Sequence, residues 1–468
     1  MKIDMDDMNG LKDMGVISPV QGWSADGVST DTRKPVKGSL FFAIRGERFD
    51  GHDFTKDALA QGAAGIVIDK KSMARAAGFV KERPVFAVDD TVKSLGELAH
   101  IIRKRYRPVV IAITGSNGKT TTKDMLAGLL SGTYDTDKTQ GNLNNLIGVP
   151  LSILNMKHGT KTWILELGTS RYGELARLTG ITDPDIGILT NIGSAHLEFF
   201  HDLQGVAKAK SEMFSAMRDD GAAIVNADDP LAMGIAGKFK GRILTAGFSN
   251  DASLHILSYR LNSNGMEFDV SYKGAQHHLS MPLSGRHYLY DMSLAVLCSV
   301  YLGVSWNEIE TACGQFNVFK GRGNIMQYEN GITVVDDTYN ANPDSMREGF
   351  LSAVERYGAG HIIAVIGDML ELGTHTAEQH HALGRFLAVH GICRFILVGA
   401  SSEYTLQGIL SAKAPGIHAS RVAGINDAAD ELVKTGRSGD VIYVKGSRSM
   451  KMEQVISVYD SMLRKNHA

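Results

Sequence analysis

Apolar residues in this chain fall into short unbroken runs, each followed at once by a polar or glycine-rich stretch. "VVIAIT" (Val109–Thr114), "WILELG" (163–168), "IGILTNI" (186–192) and "GAAIVNA" (221–227) form one such series. A second comprises "ITVVDDTYN" (332–340), "IIAVIGDMLELG" (362–373), "RFILVGASS" (394–402) and "VIYVKGSRS" (441–449). Runs of this length, apolar on both faces and separated by helical periodicity, predict buried strands of parallel sheets covered by helices. Residues 252–283 differ: "MEFDVSYKG" (266–274) alternates apolar and polar positions after the turn "NSNG" (262–265), which predicts antiparallel strands. Residues 1–107 carry three further apolar runs, "SLFFAIRG" (39–46), "GAAGIVID" (62–69) and "PVFAVDD" (84–90).

The basic stretch "IIRKRYRP" (101–108) ends in Pro108 and reads as a helix end followed by a boundary. The expected architecture is therefore α/β with three domains. A small N-terminal α/β domain spans 1–107. A central parallel sheet with an antiparallel appendage spans 108–315, and a C-terminal Rossmann-like domain spans 316–468. Ligands of open parallel sheets sit beyond the carboxyl ends of the strands, so a site between the second and third domains is expected.

Composition narrows the classes without choosing among them. The chain has 468 residues, enough for about three domains, and is 43% hydrophobic and 21% charged. A formal net charge of -2 supplies no basic field for nucleic acid or anionic lipid. Cys298, Cys313 and Cys393 form no C-x-x-C pair, which speaks against a disulfide framework or a zinc site. "MKIDMDDMNG" has no apolar segment of the signal-peptide kind, and no run approaches the roughly 20 residues of a membrane span. The expected location is the cytoplasm.

Between "VVIAIT" and the helical pattern "KTTTKDMLAGLL" lies "GSNG" (115–118). Strand, glycine turn and helix together predict a phosphate-binding loop, which makes the central sheet P-loop-type. Its spacing departs from G-x-x-x-x-G-K-[ST], because Ile113 stands where the first glycine belongs. Gly115, Ser116, Asn117 and Gly118 would offer backbone to a polyphosphate. Lys119 would supply charge, Thr120 a hydroxyl for Mg²⁺, and Thr121, next in the helix start, would also bind the ATP phosphates. Past the neighbouring strands come Glu166, His196 and Glu198, an acid–histidine set able to share a metal.

In "DLQGVAKAKSEMFSAM" (202–217) an apolar stripe runs through Leu203, Val206, Ala207, Phe214 and Met217. Lys210 falls at its centre and Lys208 opposite. A buried lysine is costly unless it is paired or chemically altered, and a snorkelling side chain is the alternative reading.

"TGSNGKTT" (114–121), with "AHLEFF" (195–200) and "GVAKAKSEMF" (205–214), resembles the Mur ligase family, the ATP-dependent amide ligases of peptidoglycan precursor synthesis. The resemblance covers nearly the whole chain. It implies ATP and two Mg²⁺ ions as cofactors, with Lys210 carbamylated by CO₂. Thr120 and Glu166 would hold the first ion; Glu166, His196 and the Lys210 carbamate would surround the second. "STDTRKPVKGSLFFAIRGERFDGHDF" (29–54) resembles a uridine-nucleotide-binding segment, with Ser29, Asp31, Thr32 and Arg33 as polar contacts.

"GNLNNLIGVPLSIL" (141–154) and "VVDDTYNANPDSM" (334–346) resemble the members that join D-Ala-D-Ala to UDP-N-acetylmuramoyl-tripeptide. The first offers Asn142, Asn144 and Asn145 to that substrate, although asparagines there also suit turns and caps. The second places Asp337, Tyr339, Asn340 and Asn342 around the nucleotide, and "KGRGN" (320–324) places Arg322 near the phosphates. "VIGDMLELG" (365–373) and "VKGSRSM" (444–450) match as well. Two positions depart: Tyr288 and Asp291 stand where the family usually has asparagines. The resemblance implies a cytoplasmic monomer acting through an acyl phosphate, with Lys119, Lys210 and His196 as catalytic groups. A tripeptide-forming relative and a non-catalytic nucleotide-binding protein are the competing readings.

Overall fold

The computed structural model describes residues 1–16, 22–76, 83–262, 265–316 and 321–466. Three sheets dominate. A five-stranded sheet has the order Gly15–Val16, Val85–Val88, Gly65–Asp69, Leu40–Phe42, Val28–Ser29, and only its first pair is antiparallel. These short strands are the three apolar runs of the N-terminal region with small edge additions.

The nine-stranded sheet places Val109–Thr114 between Ile186–Leu189 and Thr162–Glu166, all parallel. Every residue of Thr162–Glu166 and Ile186–Leu189 is buried, as continuous apolar runs require. Register pairs Glu166 with Ile113 and Leu189 with Thr114, so the phosphate loop, Glu166 and the 190–196 loop leave the sheet together. The antiparallel strands Leu254–Asn262, Gly265–Tyr272 and Ala275–Met281 continue this same sheet. They join it through parallel pairing of Leu254 and His255 with Ala246 and Gly247. The middle of the "NSNG" turn lies outside the described residues.

The six-stranded sheet runs Asn324–Gln327, Thr333–Asp336, Val441–Lys445, Ile362–Ile366, Arg394–Val398, His418–Val422, antiparallel only at the first pair. Its strand ends face the rim of the nine-stranded sheet. One apolar core crosses that junction: Leu197, Phe200, Val206 and Ala209 pack with Met346, Phe350, Met369 and Leu372.

Helix Leu203–Ala216 buries Val206, Ala207, Ala209, Lys210, Met213 and Phe214. The stripe is as expected except at its start, where Leu203 is 42% exposed in the first turn. Lys208 is exposed and lies over the Tyr172 ring.

Candidate active site

The phosphate loop owes its shape to two glycines. Gly115 (φ +150°) and Gly118 (φ +78°) hold backbone conformations that side chains disfavour. A Cβ on Gly115 would lie 1.9 Å from the Thr190 hydroxyl, and one on Gly118 would lie 2.1 Å from Asp291 Oδ1. The loop is also tied to its neighbour: Ser116 N donates to Asn191 O (3.0 Å), Asn117 N to Asn191 Oδ1 (2.9 Å), and Gly193 N to Ser116 Oγ (2.8 Å).

Lys119 opens the helix Lys119–Leu130 and folds back to donate to the carbonyls of Gly115 (2.7 Å) and Ser116 (3.1 Å). Burial pushes its ammonium below the usual range, against the opposing pull of Glu166.

Glu166, expected at the metal site, is a hub of contacts. Its two oxygens accept from Thr120 Oγ1 (2.8 Å) and Asn144 Nδ2 (2.9 Å), and its backbone N donates to Thr139 Oγ1 (3.1 Å). Lys123 Nζ lies 3.6 Å from the same carboxylate and is itself buried. Lys123 was not expected at the site, yet it sits one turn beyond Lys119 on the buried face with Leu126 and Leu130.

Of the three asparagines, Asn144 thus serves Glu166. Asn145 Oδ1 instead accepts from Ile147 N and Gly148 N at the start of the next helix, and Asn142 borders the cavity.

Lys210 is 2% exposed and makes no hydrogen bond or ion pair among the described residues. Burial, reinforced by the like charge of Lys119, holds its amine well below the usual range. An uncharged buried amine is the form able to capture CO₂. No group of three or more His, Cys, Asp or Glu side chains among the described residues stands ready as a metal site. The donors nevertheless fit a hard cation: the Thr120 hydroxyl and Glu166 carboxylate are already in contact, and an unpaired amine convertible to an anion borders the same cavity.

From the six-stranded sheet come Asp337, Asn340 and the capped helix Pro343–Tyr357. Asp337 accepts from Lys445 Nζ (2.6 Å) and Tyr443 OH (2.8 Å), and Lys445 also donates to Asn340 O (3.1 Å). Asn342 caps the helix through Ser345 N (2.9 Å), with Pro343 in its first turn, and donates to Asn117 Oδ1 on the phosphate loop (2.6 Å). Ser194 N donates to Asp344 Oδ2 (2.6 Å). Arg322 lies 3.9 Å from the centre of the Tyr339 ring.

The two departing positions are both buried. Tyr288 OH donates to Arg322 O (2.8 Å), while burial raises the Asp291 carboxyl to about 8.

A cavity of about 1060 Å³ joins these parts. It is bordered by Ser116 through Thr121, by Glu166, His196 and Lys210, and by Arg322, Asp337 and Asn340. Gly115 is not part of this lining. Ser29, Asp31, Thr32 and Arg33 are not part of it; Arg33 is exposed and pairs with Asp31 (2.8 Å), holding that carboxyl down at about 2.

Comparison with known proteins agrees along the chain. The family descriptions "Mur ligase family, catalytic domain", "Mur ligase middle domain" and "Mur ligase, glutamate ligase domain" match residues 24–103, 113–299 and 321–448. UDP-N-acetylmuramoyl-tripeptide–D-alanyl-D-alanine ligase from Bacillus subtilis is 33% identical over 433 residues, 92% of either chain. The protein of the same name from Escherichia coli is 34% identical over 434 residues, 92% of this chain and 93% of its own. Among solved structures, MurF from Acinetobacter baumannii matches with a TM-score of 0.85 at 30% identity, covering 95% of each chain. MurF ligase from Thermotoga maritima in complex with ADP gives 0.83 at 28%, covering 94% of this chain and 99% of that one.

Proposed function

The chain belongs to the Mur ligase family, and from that premise we propose that it joins D-Ala-D-Ala to UDP-N-acetylmuramoyl-tripeptide with ATP, in peptidoglycan precursor synthesis. One observation carries the reading at the site. The phosphate loop, Glu166 and Lys210 share a cavity with the 337–342 segment, whose Asn342 bonds directly to the loop.

Two chemical steps follow from the reactants. The terminal carboxylate of the tripeptide attacks the γ-phosphate, giving an acyl phosphate and ADP. The amine of D-Ala-D-Ala then attacks the acyl carbon and expels phosphate. Because the first step brings two anions together, the main task of the protein is charge neutralisation and positioning. Gly115–Gly118 backbone and the start of the following helix cradle the phosphates, and Lys119 turns from its loop carbonyls to the outer phosphates. Arg322, carried on the 321–323 turn, adds a second cation.

Thr120, Glu166, His196 and carbamylated Lys210 would hold two Mg²⁺ ions, which supply further positive charge against the phosphate oxygens. Lys123, 3.6 Å from the Glu166 carboxylate, helps to orient it for that role. Ser29, Asp31, Thr32 and Arg33 bind the uridine nucleotide, with Asn142 and Asn144 nearer the reacting end. His196 and Lys210 act through the metal set.

The units 1–107, 108–315 and 316–468 move as three domains. Their closure shields the acyl phosphate, which water would hydrolyse. No helix among the described residues is long and apolar enough to cross a membrane. We place the enzyme in the cytoplasm as a monomer.

Product analysis tests the reading. Incubated with ATP, Mg²⁺, UDP-N-acetylmuramoyl-tripeptide and D-Ala-D-Ala, the enzyme should yield the UDP-linked pentapeptide, detected by mass. Running lysine- and diaminopimelate-ending tripeptides in parallel identifies the preferred third residue. A product formed only from a dipeptide precursor and a single amino acid would refute the assignment.

A further inference from the structure

The segment "GDMLELG" (367–373) lies on the six-stranded sheet's unit, and the proposed reaction assigns it no role. Two of its backbone groups are anchored there: Met369 N donates to His380 Nε2 (3.0 Å) and Leu370 N to Ser447 Oγ (2.9 Å). Met369 and Leu372 are buried in the apolar core that crosses to Leu197 and Phe200 on the other unit. Between these anchors Glu371 projects back across the junction. Its Oε2 lies 2.6 Å from His196 Nδ1, and its carbonyl accepts from Glu198 N (3.2 Å).

Both partners hold left-handed backbone, φ +61° at Glu371 and +55° at His196, a conformation that costs a non-glycine residue about 1–3 kcal/mol. Two such residues meeting face to face indicate a contact that the surrounding packing enforces.

A histidine that binds a metal through one ring nitrogen typically gives the other N–H to a carboxylate, which fixes its tautomer and orientation. Here Nδ1 lies at ion-pair distance from the Glu371 carboxylate without an aligned hydrogen bond. Nε2 is left with no partner among the described residues, on a side chain that borders the phosphate-loop cavity.

We propose that Glu371 is a positioning residue for the metal site: its carboxylate pairs with the Nδ1 edge of His196 so that Nε2 is free to bind. Because Glu371 and His196 belong to different units, this site is complete only while the two are docked. The inference rests on the proposed metal role of His196. It adds that the C-terminal unit contributes to metal affinity without supplying a ligand.

The test is Mn²⁺ binding in the presence of ADP, followed by electron paramagnetic resonance on the full-length chain. It compares wild type, Glu371→Ala, Glu371→Gln, His196→Ala and the Glu371→Ala/His196→Ala double variant. The Glu371 side chain is 55% exposed, so its removal should leave the fold intact, and matching melting curves check this. Glu371→Ala should weaken Mn²⁺ binding about 10- to 100-fold, the scale for a carboxylate behind a metal-bound histidine. Glu371→Gln, whose amide oxygen can still accept from Nδ1–H, should stay within about threefold of wild type. In the His196→Ala background the Glu371→Ala loss should vanish.

Wild-type affinity in Glu371→Ala, an equal loss in Glu371→Gln, or a full loss in the His196→Ala background would each overturn the proposal while leaving the reaction standing. A wild-type enzyme that binds no Mn²⁺ with ADP would overturn both.

Discussion

Replacing Lys210 with methionine should move stability and activity in opposite directions. The side chain is 2% exposed, has no hydrogen-bond partner among the described residues, and carries an amine that burial holds well below its usual range. Methionine has similar length and no polar end, so the apolar contacts of the stem survive the exchange. The Lys210 amine borders the cavity, so methionine relieves only the partial desolvation of that end, about 0.5–1 kcal/mol. In metal-free, CO₂-depleted buffer the variant should therefore be more stable by about that amount. Each kcal/mol corresponds to about 2–4 °C for a unit of this size.

Turnover should fall at least about 100-fold, the scale for one well-placed electrostatic group. Lys210→Ala, which leaves room in the pocket, should be equally inactive and partly rescued by short carboxylic acids that stand in for the proposed carbamate. Calorimetry and ADP release measure the two effects on the same preparations. A clear loss of stability in Lys210→Met would mean that the wild-type amine is charged and paired. Full activity without rescue would mean that Lys210 is a snorkelling side chain with no part in the chemistry.

Other substitutions probe separate parts of the account. Lys119→Ala should lower the rate at least about 100-fold, and a near-normal rate would remove it from the phosphate site. Asp291 is raised to about 8, so between its unfolded value near 3.8 and that pH the folded chain binds the extra proton. Wild-type stability should fall as pH rises through this window, by at most about 1.4 kcal/mol per unit, and Asp291→Asn should abolish that slope. Identical pH profiles for the two proteins would show that Asp291 is already ionised. Asp337→Ala strands the buried Lys445 ammonium and should destabilise the C-terminal unit by about 3–5 kcal/mol, with Lys445→Met recovering most of the loss. No recovery in the double variant would mean that Asp337 matters through Tyr443 instead.

Local features were legible in the sequence because their signals are local. Continuous apolar runs located the strands of both large sheets, and strand–glycine–lysine order located the turn from Val109–Thr114 into the helix Lys119–Leu130. Helical spacing alone placed Lys210 on a buried face. The same spacing places Lys123 with Leu126 and Leu130, so that lysine was visible to an argument applied only to Lys210. The antiparallel strands were legible as strands, but not as a continuation of the central sheet, because that depends on the pairing of Gly247 with His255.

Contacts between distant segments left no local signal. Nothing near His196 announces Glu371, nor anything near Asn117 its bond to Asn342. The Asn145 cap and the Asn144 contact with Glu166 are equally compatible with the asparagine-rich loop. Only the fold separates them.

The central claim is that γ-phosphate transfer at this cavity is committed to D-Ala-D-Ala. ADP release should be measured with UDP-N-acetylmuramoyl-tripeptide, Mg²⁺ and bicarbonate, with and without the dipeptide. Sustained release that requires D-Ala-D-Ala, with one pentapeptide formed for each ADP, is the predicted result. Release indifferent to the dipeptide, or none with any amine, would contradict the account.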